Sequence, residues 1–221
     1  MNVRTLALLA LPFLLALGCA KPTTAPNDYT KFHSENPTSI LVVPAVNKTI
    51  DVTAPSYFLA TLTYPIAERG YYVFPAYMVK RMMEDDGLSD ATLVFNADPK
   101  RLASLFGADA ILYVTIQKWD AKYALIATTV EVEFDYILKS GKTGDVLWKN
   151  HQSWVYTPQN RSSGNPLADL IAMAVTAAAT KAAPNYMPLA RQANANAFYP
   201  AHRGLPAGPH LETHGKDGAE F

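Results

Sequence analysis

Cys19 is the only cysteine of the 221-residue chain, and it stands directly behind an apolar run. Leu6 to Leu17 holds only apolar residues and one proline, Arg4 lies before it, and Gly18 separates it from the thiol. A thiol at that position can accept a diacylglyceryl group, because sulfur forms a stable thioether that a hydroxyl would not. A short basic end, a greasy segment and a small residue before the cut are the parts of a secretory signal. The run is twelve residues long, too short for a bilayer span of roughly 20 apolar residues. Cleavage between Gly18 and Cys19, thioether formation and acylation of the new amino group (with a chain such as palmitate) would leave a lipid anchor. Two or three chains are needed for a stable hold, at about 0.8 kcal/mol per buried methylene. Ala16 stands where a lipobox usually carries Leu, and Ala16 with Gly18 also suits ordinary signal peptidase.

Three other groups of residues have types that could do chemistry. Glu131, Glu133 and Asp135 alternate with Val130, Val132, Phe134 and Tyr136, which puts the carboxylates in a row on one face of a strand. Such a row does acid or base work only where a pocket raises one member's pKa. On an open strand it keeps the face soluble, with Lys149 or His151 across a hairpin as natural partners. Gly141-Lys142-Thr143 has the ending of a phosphate-binding loop, but Tyr136 occupies the place of its first glycine and a strand pattern follows it instead of a helix. A hairpin turn fits better. His202, His210 and His214 lie in a Gly- and Pro-rich stretch with no element to fix ligand geometry, so no metal site is expected there. Neither a cofactor-binding pattern nor a nucleophile elbow is present in the chain.

The elements that must position these residues are legible from periodicity. Ile40–Val43 is a short buried strand. Pro55 opens a helix with Phe58, Leu59, Leu62 and Ile66 on one face, closed by Gly70 and kinked or restarted at Pro65. Tyr71–Phe74 reads as a second strand, and Pro75 opens a helix to about Asp86. Pro99 opens another, with Leu102, Leu105 and Phe106 inward and Gly107 at its end. Ala110–Ile116 is an apolar strand. The acidic strand and Val146–Tyr156 form a hairpin, closed by a four-residue loop ending in a left-handed Gly144. Pairing Tyr136 with Trp148 would require a shifted register or a bulge. Asn165 and Pro166 cap a helix through Ala178, and a short helix follows Pro188. Trp119, Trp148, Trp154, Tyr113, Tyr123, Tyr136 and Tyr156 crowd the strands as core, with any exposed member marking a contact surface. The order β-α-β-α-α-β-β-β-α predicts an α/β fold: a single small domain, one mixed β-sheet with a hairpin in its C-terminal half and helices packed on it.

The boundaries follow from composition. Residues 1–18 are the signal and 19–39 a Pro/Thr/Asn-rich lipid-anchored tether. Residues 40–198 are the α/β domain, and 199–221, with four glycines, three prolines and three histidines, a disordered tail. Lys and Arg balance Asp and Glu at 19 each. Loss of Arg4 with the signal leaves one acidic charge in excess, so there is no cationic field for nucleic acid.

Ser56-Tyr57-Phe58-Leu59-Ala60-Thr61 and Pro65-Ile66-Ala67-Glu68-Arg69-Gly70-Tyr71-Tyr72-Val73-Phe74-Pro75 resemble a family of bacterial lipoproteins of unknown function typified by a neisserial antigen. Gly107-Ala108-Asp109-Ala110-Ile111-Leu112-Tyr113 and Gly141-Lys142-Thr143-Gly144-Asp145-Val146-Leu147-Trp148 add to the similarity, which runs from the signal to about Arg191. The last two stretches are similar also to a wider group, the amino-terminal domain of the Tol-system propeller protein and the curli-secretion lipoprotein. The resemblance implies a non-enzymatic domain that works by protein contact in envelope assembly or secretion, with Cys19 as its one defined site.

The expectation is an acylated lipoprotein held in the bilayer through Cys19. Ala20 carries no inner-membrane retention signal, so the outer membrane is its destination, with the domain facing the periplasm. Its domain would dock other envelope proteins or lipoproteins, and a homo-oligomer is compatible with that role. Two alternatives are a periplasmic hydrolase or sugar-modifying enzyme built on the acidic strand, and a structural or adhesive surface antigen. A deep pocket around Glu131, Glu133 and His151 would favour the enzyme; an exposed apolar patch would favour docking. Cys19→Ser should abolish lipidation and cleavage by lipoprotein signal peptidase. Mass spectrometry of the mature amino terminus reads the outcome, and an unmodified Cys19 in the native chain would assign the cut to ordinary signal peptidase.

Overall fold

The computed structural model describes residues 27–123, 128–156, 186–218 and 221. Six strands and seven helices follow one another among them: α1 Thr30–Glu35, β1 Ser39–Val42, β2 Val46–Asn47, α2 Ala54–Leu59, α3 Thr63–Glu68, β3 Tyr72–Val73, α4 Ala76–Asp85, α5 Ala91–Asn96, α6 Pro99–Phe106, β4 Ala110–Tyr123, β5 Thr128–Ser140, β6 Val146–Tyr156 and α7 Met187–Phe198. None of these helices is long and apolar enough to cross a membrane. The sheet is mixed, in the order β3-β1-β4-β5-β6, with β2 pairing β4 above β1. β1, β2, β3 and β4 run parallel, and β4, β5 and β6 form an antiparallel meander. This is the expected mixed α/β domain, with α1, β2 and α5 as additional short elements.

Alternation decides which face each residue covers. Ile40, Val42, Leu112, Val114, Val132, Phe134, Tyr136 and Leu138 face one layer, where α2, α3 and α7 pack over them. Leu41, Val43, Ile111 and Tyr113 face the other, under α4, α5 and α6. The second layer ends at the outer half of the meander, where β5 turns its carboxylates outward. Pro65 sits in α3, and the predicted single helix is two, broken at residues 60–62. Within α6, Leu102 and Ala103 are buried while Leu105 is 62% exposed, a correction to its expected inward direction. The inward stripe of α6 runs through Leu102, Ala103 and Phe106, at spacings of three and four, and Leu105 falls outside it.

Two polar fastenings hold the layers in place. The fully buried Tyr136 hydroxyl donates to Asn194 Oδ1 of α7 at 2.7 Å, and Asn194 Nδ2 donates to Thr61 Oγ1 at 2.7 Å and to the Thr61 carbonyl at 3.1 Å. A phenol and an amide with no water access must find partners, so this chain ties β5, α7 and the α2–α3 break together. At the start of the sheet, Asp109 Oδ2 accepts from the backbone and hydroxyl of both Thr38 and Ser39, at 2.6 to 3.1 Å. Burial pushes the Asp109 carboxyl up, but these donors outweigh it and hold the pKa below its ordinary value.

The hairpin closes as turn chemistry requires. Gly144 has φ 80°, its N–H donates to the Ser140 carbonyl, and the Ser140 N–H donates to the Asp145 carbonyl. The Ser140 hydroxyl accepts from the Lys142 and Thr143 N–H groups at 3.0 Å, so Gly141-Lys142-Thr143 is a hairpin turn. Tyr136 pairs with Asn150 and Leu138 with Trp148, and a bulge then brings Lys139 to Val146. Residue 147 is the extra one, which buries Leu147 and Trp148 together.

Two boundaries need correction. Residues 27–39 are not a free tether: Tyr29 and Phe32 are buried in the core, and α1 packs beside β6. Residues 199–218 and 221 are not a disordered tail either. Leu205 is fully buried, the Arg203 carbonyl accepts from Asn27, Trp148 and Asn150 side chains, and Tyr71 donates to the Pro206 carbonyl at 2.8 Å. The Gly208 N–H donates to the Arg69 carbonyl at 2.6 Å, and a Cβ on Gly208 would meet the Gly70 carbonyl oxygen at 2.5 Å. Composition reads such glycines as flexibility, but here they permit two backbones to touch. The predicted helix from Asn165 lies outside the described residues.

Gly208→Ala should therefore destabilise the domain by about 1–3 kcal/mol through overpacking. Gly218→Ala, in open space, should change little; urea unfolding of the two variants is the check.

Candidate functional site

A β-bulge in β4 sets up the acidic face. Thr115 pairs with Asp135 and Ile116 with Phe134, but Lys118, not Gln117, meets Glu133. The extra residue re-aims the strand: Gln117 Nε2 donates to Asp135 Oδ2 at 2.6 Å, and Lys118 moves onto the wet face. Its ammonium bridges Glu131 at 2.7 Å and Glu133 at 2.8 Å. Hydrogen bonds to Glu131 and then Glu133 raise the Lys118 pKa well above its ordinary range, so it stays charged. Across the hairpin, His151 Nδ1 lies 2.7 Å from Asp135 Oδ1, and Nε2 lies 4.0 Å from Glu133. The row is thus brought together with His151 as expected, while Lys149 stands opposite Ile137. Every carboxylate of the row faces a cation or an amide donor. A cavity of about 540 Å³ beside them is lined by Asp135 and His151 together with Phe95, Thr115 and Lys149, and reaches neither Glu131 nor Glu133. The arrangement is a charge-matched ladder. It holds no carboxyl in an apolar niche that would make a general acid.

The other predicted groups are dispersed. His202 and His210 are exposed, and His214 Nδ1 lies 2.7 Å from the Ala207 carbonyl. No group of three or more metal-type side chains gathers among the described residues. Trp119, Trp148, Tyr113 and Tyr136 are core, with Trp154 and Tyr156 packed at its margin; the Tyr123 side chain and the Gly18-Cys19 site lie outside the described residues.

Exposed apolar side chains are spread over several elements, Met78, Leu93, Leu105 and Val155 among them, and the two most exposed lie just beyond β2. Ile50 is 98% and Val52 87% exposed on the loop leaving β2. Tyr57 of α2 and Tyr77 of α4 are half exposed, and the Tyr77 hydroxyl donates to the Ser56 carbonyl at 2.7 Å, fixing the two helices to one another. Sequence periodicity missed this region because Ile50 and Val52 belong to no periodic element. The signal available was a pair of β-branched residues within a Thr/Asp turn.

The family model described as "Putative lipoprotein GNA1162-like" matches residues 27–210. The chain belongs to that family. It is 32% identical over 204 residues to the Neisseria meningitidis serogroup B protein named "Putative lipoprotein NMB1124/NMB1162", covering 91% of this chain and 94% of the relative. The crystal structure of lipoprotein GNA1162 from Neisseria meningitidis has the same fold, with a TM-score of 0.55 and 32% identity over 66% of this chain and all of that one. A PelC dodecamer structure from Paraburkholderia phytofirmans overlaps more loosely, with a TM-score of 0.41 and 16% identity over 75% of this chain and 93% of that one.

In this GNA1162-like lipoprotein the stretches that carried the resemblance hold the structure together. Glu68 accepts from the Tyr199 hydroxyl at 2.7 Å, Arg69 lies 3.8 Å from Asp217 and 5.2 Å over the Phe221 ring, and Gly70 and Tyr71 meet the segment around Gly208. Gly107 caps α6 with φ 70°, Asp109 fastens β1, and Gly141 fits against Ala103 and the Asp109 carbonyl. None of these residues converges on a reaction centre.

The ladder predicts a compensation. Lys118→Gln should lower the melting temperature slightly, because Glu131 and Glu133 then repel each other across a partly exposed face. Adding Glu131→Gln and Glu133→Gln should recover most of it, and thermal unfolding of the three variants measures the coupling.

Proposed function

We propose that this lipoprotein is a membrane-anchored docking module without catalytic turnover, held in the outer membrane by acylated Cys19 after removal of residues 1–18. The domain would face the periplasm and bind other envelope proteins in an assembly or export complex. The observation that carries the reading is the division of labour on its surface. The acidic side chains are satisfied within the sheet, whereas Ile50 and Val52 stand almost wholly in solvent on the loop that leads into α2, and Tyr57 and Tyr77 are half exposed. The loop is pinned by Asn47, whose side chain accepts from the Thr49 N–H and donates to the Asp51 carbonyl, so its side chains lose little entropy on being covered, and burying each in a partner is worth about 1.5–3 kcal/mol. Membership in a lipoprotein family supports the anchor, and the position of the single cysteine supports Cys19 as its attachment.

The enzyme alternative requires a carboxyl kept neutral, and the acidic row offers none that is isolated from a cation. In cells, a photo-crosslinking residue at position 52 should give discrete adducts with envelope proteins, and Ile50→Lys with Tyr57→Ser should remove them while leaving the melting temperature within a few degrees. Glu131→Gln, Glu133→Gln and Asp135→Asn together should leave the adducts intact. If the acidic triple variant instead loses cellular function with adducts and folding unchanged, the module is an enzyme.

A further inference from the structure

On the far side of the domain from the acidic ladder, α3 and α7 flank a cavity of about 580 Å³ whose wall contains Tyr64, Glu68, Arg191 and Tyr199. Its charges are arranged unusually. Glu68 and Arg191 face the same space, yet they form no ion pair, and Arg191 pairs with no acid among the described residues. Each is set on its own helix, Glu68 at the end of α3 and Arg191 within α7. Glu68 is held in its ionised form, its pKa lowered by the hydrogen bonds of Tyr64 and then Tyr199. The Tyr199 hydroxyl donates to Glu68 Oε2 at 2.7 Å, and Tyr64 is 69% and Tyr199 38% exposed, so both rings remain accessible.

We propose that this cavity binds a small zwitterion of dipeptide size, with an ammonium group at Glu68 and a carboxylate at Arg191. The ammonium would donate to the Glu68 carboxylate and lie against the faces of Tyr64 and Tyr199, which attract cations. The Arg191 guanidinium presents a planar fork that matches a carboxylate with two parallel hydrogen bonds. The small Ala60 and Ala195 on the same wall leave space for the ligand's body between these ends. A ligand with only one of the charges would leave the other site charge unmatched, which gives the cavity its selectivity. The site is separate from the exposed Ile50 and Val52 surface, so it stands or falls independently of the docking reading.

The test is a crossed set of blocked ligands and charge-removing variants. The full-length chain, in a non-ionic detergent and labelled in its alanine methyl groups, is titrated with alanylalanine, its N-acetyl form and its C-terminal amide. Saturable shifts of Ala60 and Ala195 with alanylalanine, weakened about tenfold or more by either block, are expected; tenfold corresponds to about 1.4 kcal/mol. In Glu68→Gln acetylation should cease to matter while amidation still does, and in Arg191→Gln the reverse. Both side chains are exposed, and Gln at position 68 keeps an oxygen that can accept from the Tyr199 hydroxyl, so the variants should fold. The proposal is overturned if alanylalanine produces no saturable shift by about 50 mM, a Kd beyond useful binding. It is equally overturned if the blocked forms bind as well as the free one, or if the variants do not show the crossed pattern.

Discussion

Glu68 to Tyr71 are the four residues on which the rest of the molecule depends. They end α3 and lead into the edge strand, and each holds the C-terminal segment by a different interaction: a carboxylate to a phenol, a guanidinium to a carboxylate and a ring, a backbone to a backbone, and a phenol to a carbonyl. The closest of these is the meeting of Gly70 with Gly208, where a Cβ on either glycine would fall within 3.0 Å of the opposite strand of chain. Once that contact forms, Leu205 and Ala207 are delivered to the core, and the Arg203 carbonyl reaches its three side-chain donors on the other side. The packing of α7 between sheet and segment then follows, with Tyr136 and Asn194 satisfying one another in its interior.

The sheet shows how one irregularity sorts two kinds of surface. Up to Ile116, the even-numbered residues of β4 face the α2–α3–α7 layer; after the bulge the odd-numbered Trp119 does. The switch keeps an indole in the core and turns Lys118 toward two carboxylates that would otherwise stand together in water. Without it, the strand would carry an ammonium inward and a tryptophan outward, a double cost that no local adjustment could offset.

Much of this was readable from residue order. Alternation in β5 named Val130, Val132, Phe134 and Tyr136 as core and the three acids as the wet face, and Gly144 and Gly107 marked a turn and a helix end that both adopt positive φ. Periodicity failed where burial is not periodic. Tyr29 and Phe32 are isolated aromatics in a polar stretch, and Leu205 stands alone among glycines and prolines; Tyr29 donates to the Gly204 carbonyl, Phe32 packs against Tyr71, and Tyr71 donates to the Pro206 carbonyl, separations that no window can register. The four-residue stretch Glu68-Arg69-Gly70-Tyr71 was visible as a point of family resemblance, but its work depends on partners at Tyr199, Pro206, Gly208 and Asp217 that composition assigns to disorder. The cavity between α3 and α7 was hidden for the same reason, since Glu68 and Arg191 come together only when their helices do.

The meeting of the two ends has a consequence for the order of events in folding. Tyr29 stacks edge-on with Phe221 at 5.5 Å, His33 Nε2 lies 3.3 Å from the Phe221 carbonyl, and the Asn27 N–H donates to the His202 carbonyl at 3.0 Å. Contacts spanning nearly the whole chain carry the largest loop-closure cost and form late. A chain emerging residue by residue could complete its hairpins and short helices early, yet the core face would stay open until the segment through Phe221 arrived. Such a polypeptide stays loose until its last described residues meet its first, so the seam between residues 27–33 and 202–221 is what closes the fold.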